Sequence, residues 1–263
     1  MKTVQLVTLT ALAAVLAMAF TAAATTVTKN PTGDTYVRGN PNADFNYGAA
    51  GQLLVGTHAS VGPFHGLMRF DLTALTNAGL VVTNVILNCT SDASGADAGT
   101  NITINVYSLT AANADWFEGA LNGGVAVGGQ SCWNYKAGYV GVVGATSTNW
   151  AGSQGASTAG TDYDSTMLAA FTGRPSTIGT GAMNFQSAAA FTNAAQNALG
   201  GYLNIGIAVN TPNTLVSEFF RIRSRETSAT ATSLVIDYYV VPEPATLTLL
   251  GAALLMLRRR ICY

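Results

Sequence analysis

The chain has 263 residues, with twelve Lys and Arg against thirteen Asp and Glu, a formal net charge of −1. Only 10% of its residues are charged, and no basic stripe is present to neutralise phosphates, so nucleic acid is excluded as a partner class. Between Thr25 and Val241 the count is eight Lys and Arg against twelve Asp and Glu, a net −4, and the body between the two apolar ends is mildly acidic.

Taken in order, the chain opens on Lys2, an apolar run from Val7 to Phe20 and small residues at Ala22 and Ala24. That is the layout of a secretory signal peptide over residues 1–24, and it predicts export with cleavage after Ala24. Residues 25–240 then read as one domain. "DTYVRG" (Asp34–Gly39), "GLMRFDL" (Gly66–Leu72), "LVVTNVILNCT" (Leu80–Thr90) and "NITINVYSL" (Asn101–Leu109) are predicted strands. In the last of these, Ile102, Ile104, Val106 and Ser108 share one face, and Thr103, Asn105, Tyr107 and Leu109 the other. Gly119 to Gly181 is rich in Gly, Ser, Thr and Ala and is expected to form long loops. The Ala-rich stretch from Ser187 to Gly200–Gly201 predicts one helix. Strands follow at Gly201–Asn210, Val216–Glu226 and Thr232–Val240. Many short strands with Gly-rich connections give an all-β class, a single sandwich.

Cys89 and Cys132 lie in the body, where an oxidising compartment would allow a disulfide, while Cys262 lies in the tail. No CxxC spacing suggests zinc. Asp92, Asp97 and Asn101, or Asn40, Asn42 and Asp44, offer hard oxygens for a structural calcium without EF-hand spacing; no other cofactor is expected. His58 and His65 flank a Gly-Pro turn and read as loop or edge residues. For glycoside hydrolysis the carboxylate pairs on offer are Asp115 with Glu118 and Glu218 with Glu226. Glu226 is better placed to pair with Arg223 or Arg225, and no nucleophile motif accompanies either pair, so no catalytic residue is assigned. Trp133, Asn134, Tyr135 and Trp150, with Trp116 before them, mix flat aromatics with amides, as a sugar ring and its hydroxyls require. The alternative for Trp116, Trp133 and Trp150 is that they are buried pins for otherwise loose loops.

Several stretches together resemble the DNRLRE-type, disaggregatase-related carbohydrate-binding modules: "DTYVRGNPNADFNYGAAGQLLVG", "GLMRFDLTAL", "DWFEGALNGGVAVGGQSCWNY", "TNWAGSQGA" and "FFRIRSRETSATATSLVIDY". The resemblance spans roughly Val27 to Tyr239 and implies a jelly-roll β-sandwich that binds extracellular polysaccharide. Gln196 and Asn197 stand where that family tends to carry a Trp. At the other end, Pro242, Glu243 and Pro244, an apolar run and Arg258, Arg259 and Arg260 are similar to a PEP-CTERM sorting signal over residues 241–263. Its apolar run, Ala245 to Leu257, is short of the about 20 residues a spanning helix needs. The resemblance implies a bacterial protein with brief residence in the inner membrane, processing by an exosortase, and delivery to the cell surface or matrix. The expected role is non-catalytic binding of exopolysaccharide. The alternatives are a purely structural matrix protein and, third, a polysaccharide-degrading enzyme.

Overall fold

The computed structural model describes residues 24–76, 79–97, 99–186, 188–209, 215–228 and 232–241. The expected signal peptide (save Ala24), the sorting signal from Pro242 to Arg260, and Cys262 lie outside the described residues. The strands are β1 (Thr25–Lys29), β2 (Pro31–Arg38), β3 (Phe45–Asn46), β4 (Gln52–His58), β5 (Gly62–Asp71), β6 (Leu80–Ala96), β7 (Ile102–Leu109), β8 (Gly124–Val125), β9 (Tyr135–Ala137), β10 (Thr148–Asn149), β11 (Tyr163–Gly173), β12 (Ala182–Gln186), β13 (Tyr202–Val209), β14 (Glu218–Arg223) and β15 (Ser233–Val240). A helix spans Ala189–Asn197, and a single helical turn spans Pro175–Ile178.

Eleven strands pair antiparallel in one curled sheet of order β1-β15-β6-β14-β4-β5-β13-β7-β11, with β12 also on β6 and β2 also on β5, while β3 with β8 and β9 with β10 form two small separate ladders. The curl is made by β6. Its first part pairs with β15 and β12, and from Ser91 onward it pairs with β14 instead. Gly95 sits where β14 crosses closest: an added Cβ would fall 1.8 Å from the Phe219 carbonyl oxygen. Only a residue without a side chain lets the strand change partners here.

Alternation then sorts the residues. From β7, Ile102, Ile104 and Val106 enter the main core, as their period of two predicts; from β5 come Phe64, Met68 and Phe70, and from β13 Leu203, Ile205 and Ile207. Val85, Leu87, Leu234, Ile236, Met183 and Phe185 close the same core from the other limb of the curl. Burying each such side chain contributes about 1.5–3 kcal/mol. The helix adds Phe191 and Ala195. Its Gln196 is bonded to the edge of β6, accepting from the Val82 amide at 2.8 Å and donating to the Leu80 carbonyl at 2.9 Å.

Two expectations are corrected. Gly119 to Gly181 is not all loop, because β11 occupies Tyr163–Gly173. Its sequence, YDSTMLAAFTG, has few β-branched residues and a mostly exposed first half, since it pairs with β7 as the last strand of the sheet path. Cys89 and Cys132 are free and buried. Cys89 faces the main core from β6, while Cys132 lies in the connection between β7 and β11, so they are held in different packing layers. Burial pushes their thiols up to about 12 and about 11, and both remain protonated packing groups at neutral pH.

Candidate functional site

Residues 110–162, between β7 and β11, fold back over the outer face of β2, β5, β13 and β7. Tryptophans hold this Gly-rich cover in place. Trp116 and Trp150 are 1% and 4% exposed and pack with Val37, Leu67, Leu109 and Ala156 in a second apolar cluster. The Trp116 indole donates to Asn204 Oδ1 at 3.1 Å, and the Trp150 indole to the Cys132 carbonyl at 3.0 Å. Arg69 lies over the Trp116 ring, 4.9 Å from its centre, and donates to the carbonyls of Ala114 and Trp116 at 2.9 and 2.5 Å.

Asp162 closes the end of the cover. It accepts from Asn113 Nδ2 and from the amides of Gly152, Ser153 and Thr158, all at 2.7–2.8 Å. Burial alone would raise its carboxyl; these donors more than offset that and hold it below the usual range.

Trp116 and Trp150 are therefore pins, and the expectation that they present a stacking face to a sugar is corrected: their rings are enclosed between cover and sheet. Asn134 is engaged as well, donating to Asp44 Oδ1 at 2.7 Å, and its amide donates to the Ala43 carbonyl. Neither Asn134 nor Tyr135 is among the residues that line the groove beside Trp133.

Trp133 differs. It is half-buried at the margin of the cover, where it borders a groove of about 280 Å³. Tyr107 of β7, Tyr163 of β11 and His65 of β5 line the same groove, over a floor that includes Gly206 and Ala208 of β13. The Tyr107 and Tyr163 rings lie 4.6 Å apart, and the His65 and Trp133 rings 5.1 Å apart. Gly155, at φ +72°, seats Trp133: a Cβ there would come within 2.4 Å of the indole's six-membered ring.

Polar groups are set among these rings. His65 Nδ1–H donates to the Gly155 carbonyl at 2.7 Å, which leaves Nε2 as an acceptor in the neutral ring. Burial outweighs that bond and lowers the imidazole pKa, favouring the neutral form. The Tyr107 hydroxyl accepts from Asn105 at 3.0 Å and keeps its own proton to donate. Among the described residues, no carboxylate, Lys or Arg lines the groove.

His65 therefore stands inside a paired strand, and its reading as a loop or edge residue is corrected; β5 begins earlier than the Gly-Pro turn suggested. Tyr107 had a signal in the sequence, on the polar face of an alternating strand, whereas Tyr163 had none because β11 itself was not legible. Residues 25–122 match carbohydrate-binding module family 96. The matched stretch runs from β1 to six residues past Trp116. It includes His65 and Tyr107, and it ends before Trp133 and Tyr163. Among curated proteins, no sequence matches the chain.

The carboxylates weighed for hydrolysis are each partnered. Asp115 pairs with Lys136 at 2.7 Å, Glu118 with Arg225 at 2.5 Å, and Glu226 with Arg225 at 3.3 Å; Glu218 is buried and accepts from Thr100 at 3.2 Å. The two loops that offered calcium ligands are also closed by protein donors. Asp92 binds Arg223 and Gln52, Asp97 binds Ser176 and Arg174, and Asp44 binds Asn134.

A different carboxylate group comes together instead. Oxygens of Asp34, Glu118 and Glu226 lie within 4.8 Å of one another. Arg225 donates to both Glu118 oxygens, and its amide donates to Asp34 Oδ2 at 2.9 Å. Asp34 Oδ1 is buried and has no hydrogen-bond partner. Burial first, then the nearby Glu226 and Glu118 charges, push the Asp34 carboxyl up to about 8 against the opposing Arg225 amide bond. No sequence spacing announces this group; its members come from three of the stretches that carry the family resemblance.

Proposed function

We propose that the chain is an exported, non-catalytic protein that binds extracellular polysaccharide, built as a jelly-roll sandwich of the DNRLRE type. The groove walled by Trp133, Tyr107, Tyr163 and His65 carries the reading. Its flat aromatics suit the C–H faces of sugar rings, and its tyrosine hydroxyls and imidazole suit their hydroxyl groups. The match to a carbohydrate-binding module supports the same reading. With no charged side chain among its described lining residues, the groove favours neutral sugar units over uronates or sulfated sugars. Export rests on the N-terminal leader. Delivery to the cell surface, through exosortase processing and brief residence in the inner membrane, rests on the PEP-CTERM-like tail.

Native affinity electrophoresis of the intact chain in gels cast with neutral glucans, mannans, polyuronates or no polymer tests this. Retardation by a neutral polymer, reduced in Tyr107→Ala, is the expected result. Equal mobility in every gel would instead favour a structural matrix protein that binds no sugar.

A further inference from the structure

We propose that Asp34, Glu118 and Glu226 bind one Ca²⁺ ion that staples β2, the start of the cover and the turn after β14. All three side chains offer carboxylate oxygens within 4.8 Å of one another, the hard donors that calcium takes, and the set has no nitrogen or sulfur to favour zinc. With every group ionised, three carboxylates and the one guanidinium of Arg225 sum to −2, which a divalent cation cancels. The second observation is independent of the clustering. Asp34 is 0% exposed, its Oδ2 accepts from the Arg225 amide, and its buried Oδ1 has no donor. An oxygen left that way is costly unless a proton or a cation meets it.

Arg225 does not compete for the site. It binds both Glu118 oxygens and Glu226 Oε1, and the Asp34 amide donates to Glu118 Oε1 at 2.6 Å, which leaves the second lone pair of Glu118 Oε2 and the unpartnered Asp34 Oδ1 to meet the ion. Glu226 is exposed and gives the ion an entry path, while water would complete the six to eight ligands calcium requires. The same burial argues against catalysis here, because a substrate cannot reach Asp34. The rival to the ion is a proton shared between Asp34 and Glu226.

Calorimetry and thermal unfolding of the chelator-stripped intact chain, without any sugar, separate the two. The expected result is one calcium site with a Kd at or below ~1 mM, and a midpoint raised by ~3–5 °C at about 10 mM calcium. Magnesium, which demands a tighter octahedral shell, is expected to bind more weakly. Glu226→Gln, at an exposed position where folding is safe, should weaken calcium at least ~10-fold, and Asp34→Asn should do the same if it folds. No heat and no midpoint shift with calcium, or wild-type calcium affinity in Glu226→Gln, would overturn the site in favour of the shared proton.

Discussion

The two faces of β5, β7 and β13 are built from opposite materials. The inner face is aliphatic and aromatic side chains at every second strand position, meeting the other limb of the same curled sheet. The outer face is covered by irregular chain that is mostly Gly, Ser, Thr and Ala and makes few apolar contacts except through its tryptophans. The inner face is stabilised by many equivalent contacts, the outer by a few large ones and by the Arg69 and Asp162 clamps. A cover pinned at isolated points leaves gaps at its margins, whereas interdigitated strands leave none. The groove beside Trp133 is such a gap.

The largest effect is expected on the inner face. Phe220→Ala removes a fully buried ring that meets Phe171 edge-on, and should lower unfolding free energy by ~3–5 kcal/mol in urea melts. On the outer face, Trp150→Phe keeps most of the ring but leaves the Cys132 carbonyl without its donor, at a cost of about 1–3 kcal/mol. Limited proteolysis of that variant should cut first within residues 110–162. First cuts among the inner strands would mean that the cover is not the less stable layer.

Tyr107→Ala should separate binding from folding. Roughly tenfold weaker binding of the retarding polymer, about 1.4 kcal/mol, is expected with the thermal midpoint nearly unchanged. An equal loss of midpoint would place Tyr107 among the pins instead. The smallest effect concerns His65. Its folded pKa is lowered, so the unfolded chain takes up a proton that the folded chain resists, and stability from this residue is lost as pH falls from about 7 through the folded value. The stability advantage of wild type over His65→Gln should therefore shrink between pH 7.5 and pH 5, as urea melts at both values would show. An advantage that grows on acidification would contradict the neutral His65–Gly155 bond.

The inner face was legible in the sequence because alternation is written locally: Ile102, Ile104 and Val106 announce their side without knowledge of their partners. β6 was legible as a strand, but its six further residues to Ala96 were not, because "SDASGA" reads as a turn until β14 supplies a partner. The outer face was legible only as two options for each tryptophan. Trp116, Trp133 and Trp150 sit in similar Gly-rich surroundings, and only the path of the cover over β5 and β13 decides that two are enclosed and one borders the groove. The Asp34 group was hidden for the same reason, since Asp34, Glu118 and Glu226 meet only after the sheet has curled.

The three tryptophans give the most direct test, since each contributes one indole N–H signal to a ¹⁵N-edited spectrum of the intact chain. On titration with an oligosaccharide of the polymer that retards the protein, the Trp133 signal should move progressively. Those of Trp116 and Trp150, bonded to Asn204 and Cys132 beneath the cover, should hold their positions. Movement of Trp116 or Trp150 with Trp133 unmoved would contradict the groove as the binding site.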